Sequence, residues 1–291
     1  MRKSKHRKSR TTLFAQGNSQ FPRAGHVALL ASLLLFGFSS FTGAQSTPFS
    51  HDNWDALVKT CVVPTVDRHS TAAEYDCFAE RRDLLNTYLN DLSGVSEAMH
   101  LGESSDQQLA FLINAYNAWT VALILDNWPD LESIRDLGSI LRSPWKKPFI
   151  PLFGDTVSLD DIEHGMIREP GRFDDPRIHF AVNCASIGCP ALRQEAYEGE
   201  RIELQLEEQT RRFLADPSRN RFTGENLEIS SIFKWYRDDF ERGWRDNHSL
   251  HHFLSRYSDS LKLTDKQTSI LRKGDMNLKF LDYDWRLNQS P

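Results

Sequence analysis

Ser104-Ser-Asp-Gln-Gln-Leu-Ala-Phe-Leu-Ile-Asn-Ala-Tyr-Asn-Ala-Trp-Thr-Val-Ala-Leu-Ile-Leu125 is the stretch that decides the fold. Ser104 and Ser105, each followed three residues on by a glutamine, Gln107 and Gln108, make two overlapping capping boxes, the signature of a helix start. From Leu109 the segment is apolar on nearly every side until Asn127-Trp-Pro129 stops it, so the helix belongs in the middle of the protein. Gln107, Asn114 and Asn117 fall close to one line along it, and amides buried there need partners.

Working outward, helical signals dominate the preceding part, over residues 54–59, 72–90 and 93–101. After the central helix, residues 147–152 and 156–159 flank Phe153-Gly-Asp155 in a hairpin pattern. Ser158, with Asp161 in the capping-box position, starts a short helix that runs to Arg168. Residues 177–184 alternate apolar and polar and predict a strand, broken by Gly188 and Pro190. A long amphipathic helix over 201–215, a hairpin around Gly224-Glu-Asn226, helices over 231–240 and 250–261 and a closing strand over 278–283 complete the chain. Strands and helices do not alternate as βαβ units would require. The fold class is therefore α+β: a helical N-terminal part whose central buried helix packs on a small, mainly antiparallel sheet.

The first fifty residues contain no Asp or Glu, carry seven Lys and Arg, and turn apolar over residues 27–41. That is the pattern of a secretory signal peptide, with a run short of the ~20 residues that span a bilayer and small residues at Thr42-Gly-Ala44 for cleavage after Ala44. An uncleaved anchor is the competing reading. The expected product is one exported domain over 45–291, periplasmic or extracellular, with no stable membrane insertion. Loss of the leader takes the formal charge from −5 to −12, which argues against a nucleic-acid partner. The four cysteines, Cys61, Cys77, Cys184 and Cys189, are an even number for an oxidising compartment. Local pairing, Cys61 with Cys77 and Cys184 with Cys189, closes the shortest loops, and the crossed pairings stay open.

Several groups could carry chemistry. Asp160, His164 and Arg168 follow at i+4 steps, so a carboxylate can orient the imidazole as a general base needs; a surface ion pair is the plain alternative. On the expected strand, His179 and Asn183 share one face while Cys184 takes the other. Cys184 is a candidate nucleophile with His179 or His164 as base only if it is not in a disulfide with Cys189. A zinc site from His164, His179, Cys184 and Cys189 has suitable ligand types but poor spacing, and no metal or cofactor is expected.

Phe111-Leu-Ile-Asn-Ala-Tyr-Asn-Ala118, Ser158-Leu-Asp-Asp-Ile-Glu-His164 with Ile167-Arg168, Asp175-Pro-Arg-Ile-His-Phe-Ala181 and Cys189-Pro-Ala resemble successive blocks of the domain-of-unknown-function 547 family. Ser231-Ile-Phe-Lys-Trp-Tyr with Asp239-Phe240 is similar to its later block, so the resemblance covers roughly residues 101–240. It implies a shared centre at Asn114, Tyr116, Asn117, Glu163, His164, Arg168 and His179. Plant members commonly lack cysteines in the block that matches 183–190, which fits a lineage-specific disulfide there. A polar helix facing a His-bearing strand is also loosely analogous to transglutaminase-like and papain-like cores. Two functions are expected side by side. In the first, a hydrolase- or acyltransferase-like site on a small or peptide-like ligand uses His164 and His179 as acid and base, Asn114 and Asn117 to orient substrate or oxyanion, and Glu163 in support. In the second, a ligand- or protein-binding module of the cell envelope uses the same groups without turnover.

Overall fold

The computed structural model describes residues 48–139 and 143–290; the expected leader over 1–44 lies outside the described residues. Helices α1 (Asp52–Cys61), α2 (Tyr75–Glu80), α3 (Arg82–Ser93) and α4 (Glu97–Gly102) lead into α5 (Ser105–Leu125), the helix expected at the centre. Its start is a capping box: Ser104 Oγ accepts from the Gln107 N–H at 3.3 Å, and Gln107 Oε1 accepts from the Ser104 N–H at 3.0 Å. By length and composition α5 could cross a bilayer, but its side chains are buried within the protein.

An apolar surface on all sides must be wrapped on all sides, and that sets the helix's neighbours. These are chiefly α2, α3, α6 (Ile202–Leu214), a π-helical turn at Asp161–Ile167 and a 3₁₀ turn at Gly199–Arg201, rather than the sheet on which the sequence placed it. One of those turns, Gly199–Arg201, approaches so closely that a Cβ on Gly199 would lie 2.5 Å from Gln107 Cγ and 2.9 Å from its Cα. Only glycine fits there.

The strands are short, two to five residues each. β1 (Val62–Pro64) pairs antiparallel with β2 (Thr71–Ala73), and β3 (Ile150–Leu152) with β4 (Asp155–Val157) across the positive-φ turn Phe153-Gly154. The third sheet has the order β5 (Arg221–Phe222), β6 (Asn226–Ser230), β7 (Asn277–Leu281), antiparallel in its first pairing and parallel in its second. The fold is α+β. Two expected helices are interrupted: residues 72–90 begin in β2 and divide at Arg81 between α2 and α3, and 231–240 divides into α7 (Ile232–Trp235) and α8 (Arg237–Glu241). Helices α9 (Leu250–Ser255) and α10 (Asp265–Arg272) precede β7.

Two apolar cores form. One surrounds α5 and includes Trp54, Tyr88, Phe111, Leu112 and Ile178; the other is rich in phenylalanine, with Phe180, Phe213, Phe233, Phe240 and Phe253. The segment expected as a strand over 177–184 is instead a 3₁₀ turn, Pro176–Phe180, followed by irregular chain. Its apolar alternation has another origin. The segment runs along the seam between the cores, so Ile178 enters the first and Phe180 the second.

Cys61 pairs with Cys77, tying the end of α1 to α2, and Cys184 pairs with Cys189, with Cα separations of 5.4 Å and 6.2 Å. Both are the local pairings.

Candidate functional site

The seam positions His179. Asp175 caps the turn, its Oδ1 accepting from the Arg177 N–H at 2.9 Å while its carboxylate holds the Arg177 guanidinium at 2.6 Å. Arg177 is buried, also paired with Glu203, and lies 4.7 Å from the Trp244 ring. With Arg177, Ile178 and Phe180 anchored, His179 between them lines a cavity of about 210 Å³.

His179 is buried and its Nε2 lies 2.7 Å from Asp239 Oδ2 on α8. The same carboxylate accepts from Arg168 Nε at 2.6 Å and, through Oδ1, from Arg242 at 2.7 Å. Burial alone would raise the Asp239 carboxyl, but the hydrogen bonds from His179 and Arg168 outweigh it and hold Asp239 well below the usual carboxylate range. An ionised Asp239 only accepts, so Nε2 carries the hydrogen and Nδ1 is the basic nitrogen. Burial pushes the His179 pKa down, with Asp239 opposing, so the ring is neutral at pH 7. Nδ1 is buried and has no hydrogen-bond partner. The ring stacks on Tyr236 at 3.9 Å between centroids, and the Arg168 guanidinium lies 4.6 Å from the Tyr236 centroid.

The opposite wall comes from the segment expected to begin with Ser158. Ser158 and Asp161 exchange capping-box hydrogen bonds of 2.6 to 3.1 Å, as the sequence indicates, but Asp161–Ile167 winds as a π-helix, closed by the Arg168 N–H to the Glu163 carbonyl at 2.9 Å. Such turns are frequent at functional sites. His164 accepts at Nδ1 from Arg168 at 2.6 Å, and its Nε2 is 3.5 Å from Asp160 Oδ1. Arg168 therefore links His164 to the Asp239 carboxylate that holds His179. Glu163 is buried and faces the hydroxyls of Tyr116 and Tyr236, whose pKa values burial and then this carboxylate push up, so both stay protonated. Asp160, Glu163, His164, His179 and Tyr236 all line the one cavity.

Asn114 and Asn117 do not line it. Asn114 donates to the Tyr197 carbonyl at 2.8 Å and accepts from the Tyr197 N–H at 2.9 Å. Asn117 donates to the Ala181 carbonyl at 3.0 Å and accepts from the Asn183 N–H at 2.8 Å. Asn183, expected beside His179, spends its own amide on the Ala185 N–H and the Pro190 carbonyl. All three amides hold backbone. The expected separation of His179 from Cys184 is also overturned. It rested on strand alternation, and without a strand both residues line the same cavity.

The remaining walls escaped the sequence reading. Tyr283 and Trp285 arrive from the C-terminal segment and stand with Trp235 and Trp145; Trp235 and Trp285 are stacked at 5.7 Å, and Trp145 meets Trp285 edge-on at 5.8 Å. Asp239 lay inside a quoted block, but no spacing rule connects it to His179 sixty residues away. Its only sequence signal was its place in that block, where it stands beside a second acid, Asp238. Among the described residues no three His, Cys, Asp or Glu side chains converge as metal ligands, and the two cysteines considered for zinc are bonded to each other.

Residues 102–214 match the model of the family described as "Protein of unknown function, DUF547". The match is narrower than the 101–240 suggested by the resembling blocks and ends before α8. No curated protein and no solved structure matches the chain.

Proposed function

We propose from the geometry of the cavity that this chain, whose residues 102–214 match the DUF547 family model, a family whose description names no reaction, is an exported general-base enzyme. The reaction class is hydrolase- or acyltransferase-like, on a small or peptide-like ligand. The observation that carries this reading is His179: a neutral ring in a cavity wall, one nitrogen committed to an ionised Asp239 at 2.7 Å, the other without a partner.

In this scheme Nδ1 of His179 takes the proton of a water or ligand hydroxyl as that oxygen attacks an acyl carbon, and returns it to the leaving group. Asp239 keeps the tautomer and stabilises the imidazolium formed in between, while Arg168 and Arg242 keep Asp239 ionised. Glu163 offers an acceptor for an N–H of the ligand, which suits an amide or amine. The aromatic wall of Trp145, Trp235 and Trp285 suits an apolar or ring-shaped body. That wall also favours a second reading, retention of a ligand without turnover.

The leader-like N-terminus and the two cysteine pairs, which fit an oxidising environment, support export. Recovery of the mature chain outside the cytoplasm, starting at Gln45, checks it.

A panel of esters and short peptide amides, assayed with wild type, His179→Ala and Asp239→Asn and paired with calorimetric binding, tests the enzyme. The expected result is turnover lost in His179→Ala with binding retained, and an acidic limb of kcat/KM below the ordinary histidine value of about 6.5. Turnover that survives His179→Ala refutes the base. Binding with no turnover of any substrate selects the second reading.

A further inference from the structure

The cavity's third wall is made of sulfur and donors to sulfur. Cys184 is half-buried, Cys189 is 3% exposed, and both line the cavity with Tyr283. Cys189 Sγ accepts from the Cys184 N–H at 2.9 Å and from the Tyr283 hydroxyl at 3.1 Å. The Ser186 hydroxyl lies 3.4 Å from Cys189 Sγ and 3.1 Å from Cys184 Sγ, and the Tyr283 hydroxyl is also 3.3 Å from Cys184 Sγ, so what singles out Cys189 is the Cys184 N–H, the shorter Tyr283 contact and deeper burial. Burial pushes the Tyr283 phenol up, so it stays a donor. A disulfide sulfur is a weak acceptor, whereas a thiolate is stabilised by such donors.

Tyr283 is there by construction of the turn. A Cβ on Gly188 would lie 2.8 Å from the Tyr283 ring, so only glycine admits the phenol at this spot. The turn is held independently of the S–S bond: the Ile187 and Gly188 N–H groups donate at 2.8 Å to the Arg286 and Asp284 carbonyls, and the Asn288 N–H donates to the Ala185 carbonyl at 3.2 Å. Opening the bond therefore leaves the loop in place. The other pair differs. Cys61 is fully buried in the first apolar core and, among the described residues, its sulfur receives no hydrogen bond. Attack at Cys77 would strand a thiolate in apolar surroundings.

We propose that Cys184–Cys189 is a thiol–disulfide exchange site facing the cavity, with Cys184 the sulfur attacked and Cys189 the leaving group, and with a small thiol or thiol-bearing peptide as co-reactant. A thiolate bonds to Cys184 Sγ, the Cys184–Cys189 bond breaks, and its electron pair stays on Cys189 Sγ among the three donors. A second thiolate then attacks the mixed disulfide at the incoming sulfur and releases Cys184. Two thiols are oxidised to one disulfide, and their two protons end on the cysteines. The inference stands on the sulfur wall alone and does not depend on His179 acting as a base.

The test uses the whole oxidised protein, titrated with dithiothreitol or with glutathione, quenched with iodoacetamide and mapped by mass spectrometry, with circular dichroism following the fold. Expected are alkylation of Cys184 and Cys189 while Cys61–Cys77 stays closed and the protein stays folded, and glutathione trapped on Cys184. Tyr283→Phe and Ser186→Ala each slow the opening by about tenfold, the worth of one hydrogen bond to a charged group. Joint opening of both pairs only on unfolding, glutathione trapped on Cys189, or unchanged opening rates in both folded variants would each overturn the proposal. The wild-type order of opening decides the matter even if a variant fails to fold.

Discussion

Asn117→Ala separates a clamp from a catalytic amide. In the structure the Asn117 side chain closes a two-point contact with the backbone, donating to the Ala181 carbonyl at 3.0 Å and accepting from the Asn183 N–H at 2.8 Å. The residue is 2% exposed, so truncation leaves a buried carbonyl and a buried N–H facing an emptied space. Each unpaired group costs about 1–3 kcal/mol, which puts the substitution at about 2–6 kcal/mol. A water that enters the vacated space recovers part of this, so about 2 kcal/mol is the floor. Against a typical total of about 5–15 kcal/mol that is a large fraction. Urea unfolding followed by tryptophan fluorescence measures it, with the midpoint lowered and the slope m unchanged. Asn114→Ala makes the same kind of loss at Tyr197 and is expected in the same range. Asn117→Asp keeps the acceptor for Asn183 but sets a negative oxygen against the Ala181 carbonyl, so it does not rescue. A loss below about 1 kcal/mol in Asn117→Ala, together with lost ligand binding in a folded protein, would refute the clamp and return the amide to the site.

Burial holds His51, against Asp52, and His100, with Arg172 adding to the effect, at pKa values of about 4. The unfolded chain therefore takes up protons near pH 6.5 that the folded chain refuses, so this stability is present above about 6.5 and is lost as pH falls toward 4. Urea midpoints at pH 7 and pH 5 should differ by up to about 1.4 kcal/mol per pH unit for each histidine below 6.5; equal midpoints contradict it. Removing the Cys61–Cys77 bond, which spans a sequence separation of 16, by a double change to alanine should cost about 3 kcal/mol and lower the thermal midpoint; no change would mean that the cores fix α1 and α2 unaided. Gly188→Ala forces a methyl to within 2.8 Å of the Tyr283 ring and should cost about 1–3 kcal/mol while displacing the phenol from the sulfurs, visible as slower opening of Cys184–Cys189 by dithiothreitol, as in Tyr283→Phe. Wild-type stability in that variant would show the ring to be free to move.

The helix α5, its cap, the two hairpin turns and the Ser158–Asp161 box were legible because each depends on residues within a few positions of one another. His164, Glu163 and His179 were legible as a group through the resembling blocks, and the structure brings them to one cavity. The strand at 177–184 was not. A period of two normally reports one buried face, and here Ile178 and Phe180 are buried in different cores, which gives the same pattern from a tight turn. Asn114 and Asn117 announced that they needed partners, but an amide pairs equally well with a ligand or with backbone, so spacing could not choose. Asp239, Tyr283 and Trp285 were hidden for a plainer reason: their relation to His179 exists only once the chain has returned from far along its length.

The C-terminal segment over residues 283–288, which lines the cavity and pairs with the cysteine turn, has a consequence for inheritance. The matched segment 102–214 supplies His179, the π-helical wall and the cysteines, while Asp239, Tyr236 and the aromatic pair Tyr283 and Trp285 are donated from downstream. A chain carrying the same segment with a different tail would keep the imidazole yet lose its carboxylate partner and five of the sixteen residues that line the cavity. Replacing the tail alone would therefore remove the carboxylate partner and, from the aromatic wall, Trp235 and Trp285, while leaving the imidazole where it is.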